Sequence, residues 1–385
     1  MKESQSIYPS LDTPAILLDL DRLEANVREM AQLVRGAGFK LVPHSKCHKS
    51  PEICRMQLAE GAVGITVSKL SEAEVLVKEG IRTIEIVHPI YGDQKLRRFG
   101  ELFRNPQVHY SLVVDMLEQA QELSKIGQAA GRRVPILLKI NTGLNRFGVP
   151  PGAPALETAR KLVRLPGVEL IGILAHESCI REHTAKGVQG LTLEATGMLD
   201  RTALLLKQEG IPVRTVAAGA TPSAKIICRH RKCFPEVTEL HPGAYALGDW
   251  MYINAFAMSE EQCAATILTT VLSTTCPGRA SIDAGAKTVG VDSLPQLAWK
   301  PDYLFEGRPS YGSIRGRPDI RLESLHEEIG ILRLTDPART VALGDRLEIL
   351  ANHVSLAVAL HDVMYGVRGG KVEKEFPIAL RGKDY

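Results

Sequence analysis

The sequence predicts an α/β protein: a (β/α)8 TIM-type barrel over residues 20–255, with a second, mostly β domain formed by residues 1–19 and 256–385. Three observations carry that reading. Short apolar runs alternate with amphipathic, helix-length stretches through most of the chain, the grammar of parallel β/α units. They number eight or so, and their span is close to the ~250 residues a closed barrel uses. No G-x-G-x-x-G follows any run, which argues against an open dinucleotide-binding sheet.

After a first strand, "AILLDL" (residues 15–20), "DRLEANVREMAQLVRGAG" reads as an amphipathic helix, with Asp21 as N-cap and Gly36 or Gly38 at its end. "FKLVPHS" follows as a strand, then "SPEICRMQLAEG" as a helix with Ser50 as cap and Pro51 in its first turn. "VGITVS" and "SEAEVLVKEG" repeat the pair, and "IEIVHP", "VHYSLVV", "VPILLKIN", "VELIGILAH" and "VRTVAAG" continue it. "ELHPGAYALGD" supplies the last barrel strand. Beyond about residue 255 the pattern changes to β-branched runs separated by turns, such as "CAATILTTVLSTT", "DRLEILANHVSLAV" and "MYGVRGGKVEKEFPIAL".

The bulk numbers exclude several classes of function. At 44% hydrophobic and 24% charged residues with a formal net charge of +3, the 385-residue chain has no drive toward nucleic acid or a membrane surface. No apolar run approaches the roughly 20 residues that span a bilayer, and "MKESQSIYPSLDTP" lacks a signal-peptide core. The expectation is a cytoplasmic protein. Its seven cysteines are scattered, odd in number and free of any CxxC pair, so reduced thiols are expected rather than disulfides or a zinc knuckle.

In a β/α barrel the active site lies at the C-terminal ends of the strands. That rule selects Lys46 after "FKLVPHS", Arg146 in the loop after "VPILLKI", His176 after "LIGILA", the turn Gly219, Ala220 and Thr221 after "TVAA", and Tyr245 in the last strand. Small residues ahead of a helix can bring backbone N–H groups close to a phosphate. A lysine at the end of a buried strand, near a second cation such as Arg146, loses part of the solvation that holds its proton and becomes an amine nucleophile. An amine and a phosphate turn in one barrel mouth point to pyridoxal 5'-phosphate.

The motif "LVPHSKCHKS" resembles the signature of the D-threonine aldolase and D-serine dehydratase group, pyridoxal-phosphate enzymes with a barrel of the alanine racemase type. The resemblance extends through "DTPAILLDLDRLEANVREM", "KINTGLNRFGV", "VAAGATPSA", "ELHPGAYALGD", "SIDAGAKTVGVD" and "GDRLEILANHVSLAV", in that order. It implies that Lys46 holds the cofactor, that Arg146 lies against its ring, and that Gly219, Ala220 and Thr221 take its phosphate. It also implies a homodimer acting on a small amino-acid substrate.

The departures bear on the reaction. Relatives of this group carry "NHxC" or "NHxD" in the second domain and bind a divalent metal there; this chain reads "NHVS", with His353 kept and Ser355 in place of the anionic ligand. If the run is a strand, residues 353 and 355 point to one face, but a hydroxyl is a far poorer ligand than a thiolate or carboxylate. A site for manganese, magnesium or zinc therefore stays open. His176 stands where the family has a tyrosine, and Ile329 where it has a histidine.

Losing the metal harms dehydration most, because hydroxide is a poor leaving group without it. Retro-aldol cleavage needs only a base, for which His176 and His353 are candidates. The expected activity is retro-aldol cleavage of a D-configured β-hydroxy amino acid. Dehydration of D-serine or 3-hydroxyaspartate is second, amino-acid racemisation third, and a non-catalytic cofactor-binding protein last.

Overall fold

The computed structural model describes residues 7–177, 182, 184–292, 304–305, 308–336 and 340–385. They pack as two units: one of the chain up to Val27, Cys47–Ile53 and Ala244–Arg381, the other of Arg28–Lys46, Cys54–Gly243 and Gly382–Tyr385. In chain order the strands to residue 240 are β1 (Ala15–Asp19), β2 (Lys40–Leu41), β3 (Ile65–Val67), β4 (Thr83–Ile86), β5 (His109–Val114), β6 (Val134–Lys139), β7 (Val168–Leu174), β8 (Thr215–Ala218) and β9 (Glu239–Leu240). Helices α1 (Leu20–Gly36), α2 (Pro51–Ala59), α3 (Leu70–Lys78), α4 (Asp93–Phe103), α5 (Leu117–Ala129), α6 (Ala153–Leu162), α7 (Ala185–Gln208) and α8 (Thr221–Arg229) separate them.

The second of these units is the predicted barrel. Its eight strands run β2-β9-β8-β7-β6-β5-β4-β3 in space, and every adjacent pair is parallel. A parallel bridge between His44 and Thr66 joins the two end strands; Ser45 N–H donates to Thr66 O and Thr66 N–H to Pro43 O, both at 2.9 Å. The seam of the barrel is thus closed by the histidine-lysine motif itself. β2 is shorter than "FKLVPHS" predicts because Pro43 has no N–H to offer a ladder.

Val113, Leu137, Leu174 and Ala217, one from each of β5 to β8, form a buried cluster, as strands covered on both faces require. Where β7 meets β8 the backbones come so close that a Cβ on Gly172 would lie 1.8 Å from Thr215 O.

The other unit is the predicted β assembly. Strands β10 (Ala265–Ser273), β11 (Arg279–Ile282), β12 (Leu304–Phe305), β13 (Arg308–Pro309), β14 (Gly312–Ile314), β15 (Arg317–Leu325), β16 (Gly330–Leu334), β17 (Arg346–Ala351), β18 (Val363–Arg368) and β19 (Lys371–Pro377) follow, with short helices α9 (Trp250–Asn254), α10 (Ala286–Val289) and α11 (Val354–Leu360). Nine strands form one sheet in the order β11-β16-β15-β14-β17-β10-β1-β18-β19. β1 runs antiparallel to β10 and parallel to β18. Asp283 of "DAGAK" is a structural tie: it accepts from Thr269 Oγ1 at 2.6 Å and from Thr270 N–H at 2.9 Å.

Two expected strands are strands only in their first part. "ELHPGAYALGD" is extended only at Glu239–Leu240, and Tyr245 sits in a 3-10 turn over Ala244–Ala246. Pro242 cannot donate to a ladder, and a Cβ on Gly243 would lie 2.6 Å from His44 O. In "DRLEILANHVSLAV" the strand stops at Ala351 and a helix runs from Val354 to Leu360. Ser355 is therefore in a first helical turn, and the same-face strand argument linking it to His353 does not hold. No helix among the described residues is long and apolar enough to cross a membrane.

Candidate active site

Lys46 follows the barrel seam, as expected, but its side chain is exposed. Its backbone N–H donates to His44 Nδ1 at 3.2 Å, and the far nitrogen of His44 lies 3.4 Å from Ser68 Oγ. A buried imidazole thus shapes the turn that carries the lysine. The desolvated amine of this barrel is a different one. Lys139, at the end of β6, is 5% exposed, and burial together with the nearby Arg146 guanidinium pushes its pKa down to about 7.

The loop "NTGLNRFG" is built by Asn141, whose Oδ1 accepts from the N–H groups of Gly143 and Asn145, both at 3.1 Å. Asn145 takes a left-handed backbone, φ +54°, a conformation asparagine tolerates better than most residues. Gly148 N–H is held by Asp115 Oδ2 at 2.8 Å. So fixed, the loop places Arg146 over the Phe147 ring at 4.9 Å, with Lys139 at 5.5 Å from the same ring. A small cavity of about 10 Å³ opens there, lined by Lys139, Asn141, Thr142, Arg146, Phe147 and His176.

The turn after β8 is tied down from behind. Gly219 has φ +92°, which favours glycine. Its N–H donates to the buried carboxylate of Glu177 at 2.9 Å, and Ala220 N–H goes to Ser223 Oγ at 2.7 Å. The same Glu177 accepts from Ser223 Oγ at 3.1 Å. These two backbone donors are engaged within the protein, so Gly219 and Ala220 shape the turn and Thr221 begins the helix α8 behind it.

Cations dominate the mouth of this unit. Burial, then the charges of Lys46 and other neighbours, holds the His44 and His176 imidazoles well below their ordinary range. His88 is lowered to about 4 by burial, with Arg146, Lys69 and Lys46 adding to it. The buried hydroxyl of Thr142, on the cavity wall, has no hydrogen-bond partner. Excess positive charge, an orphaned hydroxyl and a phenylalanine face suit a flat, anionic, acceptor-rich aromatic ligand. Pyridoxal phosphate fits that description.

Deeper in the barrel lies a set that sequence reasoning missed. His241 has Nδ1 3.2 Å from Glu85 Oε1 and Nε2 3.2 Å from Glu239 Oε1. It is the one convergent trio of ligand-type side chains among the described residues. The i, i+2 spacing of Glu239 and His241 was the available signal, since such residues share a strand face; Glu85, from another strand, was not readable.

In the other unit, His353 precedes α11 and its Nδ1 faces Asp292 Oδ2 at 3.1 Å. That contact orients the imidazole ring. Ser355, a neutral hydroxyl in the first turn of α11, adds no charged donor of the kind a divalent ion selects.

A match to the alanine racemase N-terminal domain covers residues 18–249, well over half of the chain. The chain belongs to that family. A putative serine dehydratase domain matches residues 264–367. The chain is 32% identical to a D-threonine aldolase from Arthrobacter sp, over 97% of this chain and 93% of that one. It is 31% identical to a D-threo-3-hydroxyaspartate dehydratase from Delftia sp. (strain HT23), over 91% and 92% of the two chains. The crystal structure of a D-threonine aldolase from Filomicrobium marinum superposes with a TM-score of 0.87 at 30% identity, covering 97% of each chain. The chain is accordingly a pyridoxal-phosphate enzyme of the aldolase, dehydratase and racemase family.

Proposed function

We propose that this enzyme cleaves a D-configured β-hydroxy amino acid by a retro-aldol reaction. What supports the proposal is that the charges of Lys46, Lys139 and Arg146 act together on the buried His176 in a chain similar to a D-threonine aldolase over nearly its full length. Lys46 holds the cofactor through its amine. Arg146 lies against the ring, while Thr221, with Gly219 and Ala220 shaping the turn, receives the phosphate. Tyr245, buried in its 3-10 turn, is retained as a cofactor contact. Once bound, the cofactor supplies an electron sink for carbanion chemistry.

The chain's own work is proton transfer and orientation. His176 is held as the free base chiefly by its burial, with the charges of Lys46, Lys139 and Arg146 adding to it, which suits removal of a proton from a β-hydroxyl. His353, oriented by its contact with Asp292, is the second candidate base. No step is routed through a metal at His353 and Ser355. We place the enzyme in the cytoplasm as a homodimer, with one small-molecule substrate and neither nucleic acid nor membrane as partner. The scattered cysteines, with no CxxC pair, support the reducing compartment.

The test compares D-threonine, D-serine and D-3-hydroxyaspartate with and without manganese or zinc. The expected products are acetaldehyde or glyoxylate together with glycine, and Lys46→Ala abolishes both the yellow colour of the reloaded protein and turnover. Ammonia with a keto acid would mean a dehydratase, and inversion without carbon loss a racemase. Complete loss of activity in EDTA would make His353 a metal ligand.

A further inference from the structure

We infer that Lys69, at the end of β3, is a specificity-determining residue of the barrel mouth. Its ammonium receives a carboxylate on the side chain of the substrate, so the preferred substrate is a β-hydroxy amino acid with an acidic side chain. The inference rests on the reading that Lys46 and the turn at residues 219–221 anchor pyridoxal phosphate.

The placement follows from strand order. The ring β2-β9-β8-β7-β6-β5-β4-β3, closed by the bridge between His44 and Thr66, puts β4 across the barrel from β8. β2 and β6, which lead to Lys46 and Arg146, lie on the two flanks between them. With the phosphate turn at β8 and the anchoring amine on the flank of β2, the arc of β3 and β4 is left for the amino acid. The charged side chains that open that arc are Lys69 and His88. The N–H groups of Ser68 and Lys69 both donate to Glu72 Oε2, at 2.8 and 3.0 Å, and Glu72 is buried, so the turn after β3 is fixed. Ser68 Oγ lies 3.4 Å from His44 Nε2, and His44 Nδ1 accepts from the Lys46 N–H at 3.2 Å. Those two contacts tie the turn that carries Lys69 to the turn that carries Lys46.

Charge selects the ligand. His88 sets its ring edge-on against Phe147 at 5.8 Å, and after burial the charges of Arg146, Lys69, Lys46 and Lys139 all act on it. Four cations thus converge on one side of the mouth. Lys46 is engaged by the cofactor, and Lys139 has Glu177, Glu85 and Asp115 acting on it. Among the described residues neither Lys69 nor Arg146 forms an ion pair. The α-carboxylate that every amino acid carries answers one of these two cations and leaves the other. Arg146 stands on the far flank, so Lys69 is left for a carboxylate further along the substrate. Lys69 is half-buried, and a covered charge without a counter-charge is costly. A neutral side chain in the arc covers this ammonium without pairing it, and a site of that kind rejects the analogue that lacks the missing partner.

The test uses four proteins loaded with pyridoxal phosphate: the native sequence, Lys69→Gln, Lys69→Arg and Lys46→Ala. D-aspartate and D-alanine lack a β-hydroxyl and cannot be cleaved by a retro-aldol step, so their Kd values, read by calorimetry, report binding without turnover. The native protein is expected to bind D-aspartate more tightly than D-alanine. Lys69→Gln is expected to lower that preference about tenfold, the size of one charge-assisted contact, and Lys69→Arg to keep most of it. The ratio of kcat/KM for D-3-hydroxyaspartate over D-threonine should fall with the Kd ratio. A ratio that Lys69→Gln leaves at the native value overturns the inference, whether both ligands hold their affinity or lose it equally; equal loss is the mark of a contact to the α-carboxylate. Should Lys69→Gln not fold, the native protein decides: D-alanine bound as tightly as D-aspartate overturns the inference by itself. Lys46→Ala separates the two readings: if it still yellows, the anchoring assignment fails; if it does not and the ratio test fails, only the present inference is lost.

Discussion

Lys139 shows how a single residue sets the chemistry of its neighbours. It reaches the cavity from a strand whose other side chains are apolar, and burial and Arg146 together strip it of part of its charge. The charge that remains acts on His176, together with Lys46 and Arg146. Replacing Lys139 by Met is expected to raise the His176 pKa, because one of the positive charges that lowers it, after burial, is then gone. An NMR titration of the His176 ring reads this directly, and the acid limb of the activity profile should move with it. An unmoved ring resonance sinks the assignment. Lys46, His44 and Arg146 were legible because short motifs quote them in order. Lys139 was not, for it stands in "VPILLK" as one polar letter closing an apolar strand. Whether such a letter faces solvent or the barrel interior depends on register, which one sequence does not display.

At the scale of elements, long periodic segments were legible and short ones were not. The alternation from β4 to α8 and the hairpin at Gly369 and Gly370, both in the left-handed region, are visible as pattern. Misreadings fell on the two-residue strand β9 and on α11, seven residues long. "NHVSLAVAL" has enough β-branched residues to look extended, yet its backbone is helical, so tertiary context overrode a weak propensity. The β7–β8 contact gives a prediction at this scale. Gly172→Ala must push one strand away, because the blocking atom is the backbone oxygen Thr215 O. A loss of about 2–3 kcal/mol is expected from such overpacking, with a lower urea midpoint and, since β7 leads to His176, reduced turnover. A midpoint within experimental error of the native one would mean the strands can slip at no cost.

The chain as a whole carries two opposed sets of buried ionisable groups. His44, His88 and His176 have pKa values lowered chiefly by burial. For each, the unfolded chain takes up a proton first as pH falls below the ordinary 6.5, so stability drops with acidification; for His88 the drop extends to about pH 4. Glu177 and Asp200 are raised by burial from ordinary values of 4.5 and 3.8. There the folded chain takes up the proton first as pH falls toward those ordinary values, so acidification adds stability. The two slopes oppose each other between the raised carboxyl values and the ordinary ones. His88→Asn removes a histidine term, and its thermal midpoint should fall less than the native one between pH 7 and 5. Asp200→Asn removes a carboxyl term, and its midpoint should fall more than the native one as pH drops on toward 4. Scanning calorimetry of the three proteins at pH 4, 5, 6 and 7 decides the point. If both variants track the native curve, the stability of this chain is set by groups other than these. If their slopes are exchanged, the burial-driven shifts have been assigned the wrong sign. The expected ordering ties the cationic mouth to a measurable cost: the charge that favours an anionic ligand also makes the free protein sensitive to acid, and a bound phosphate should relieve part of it.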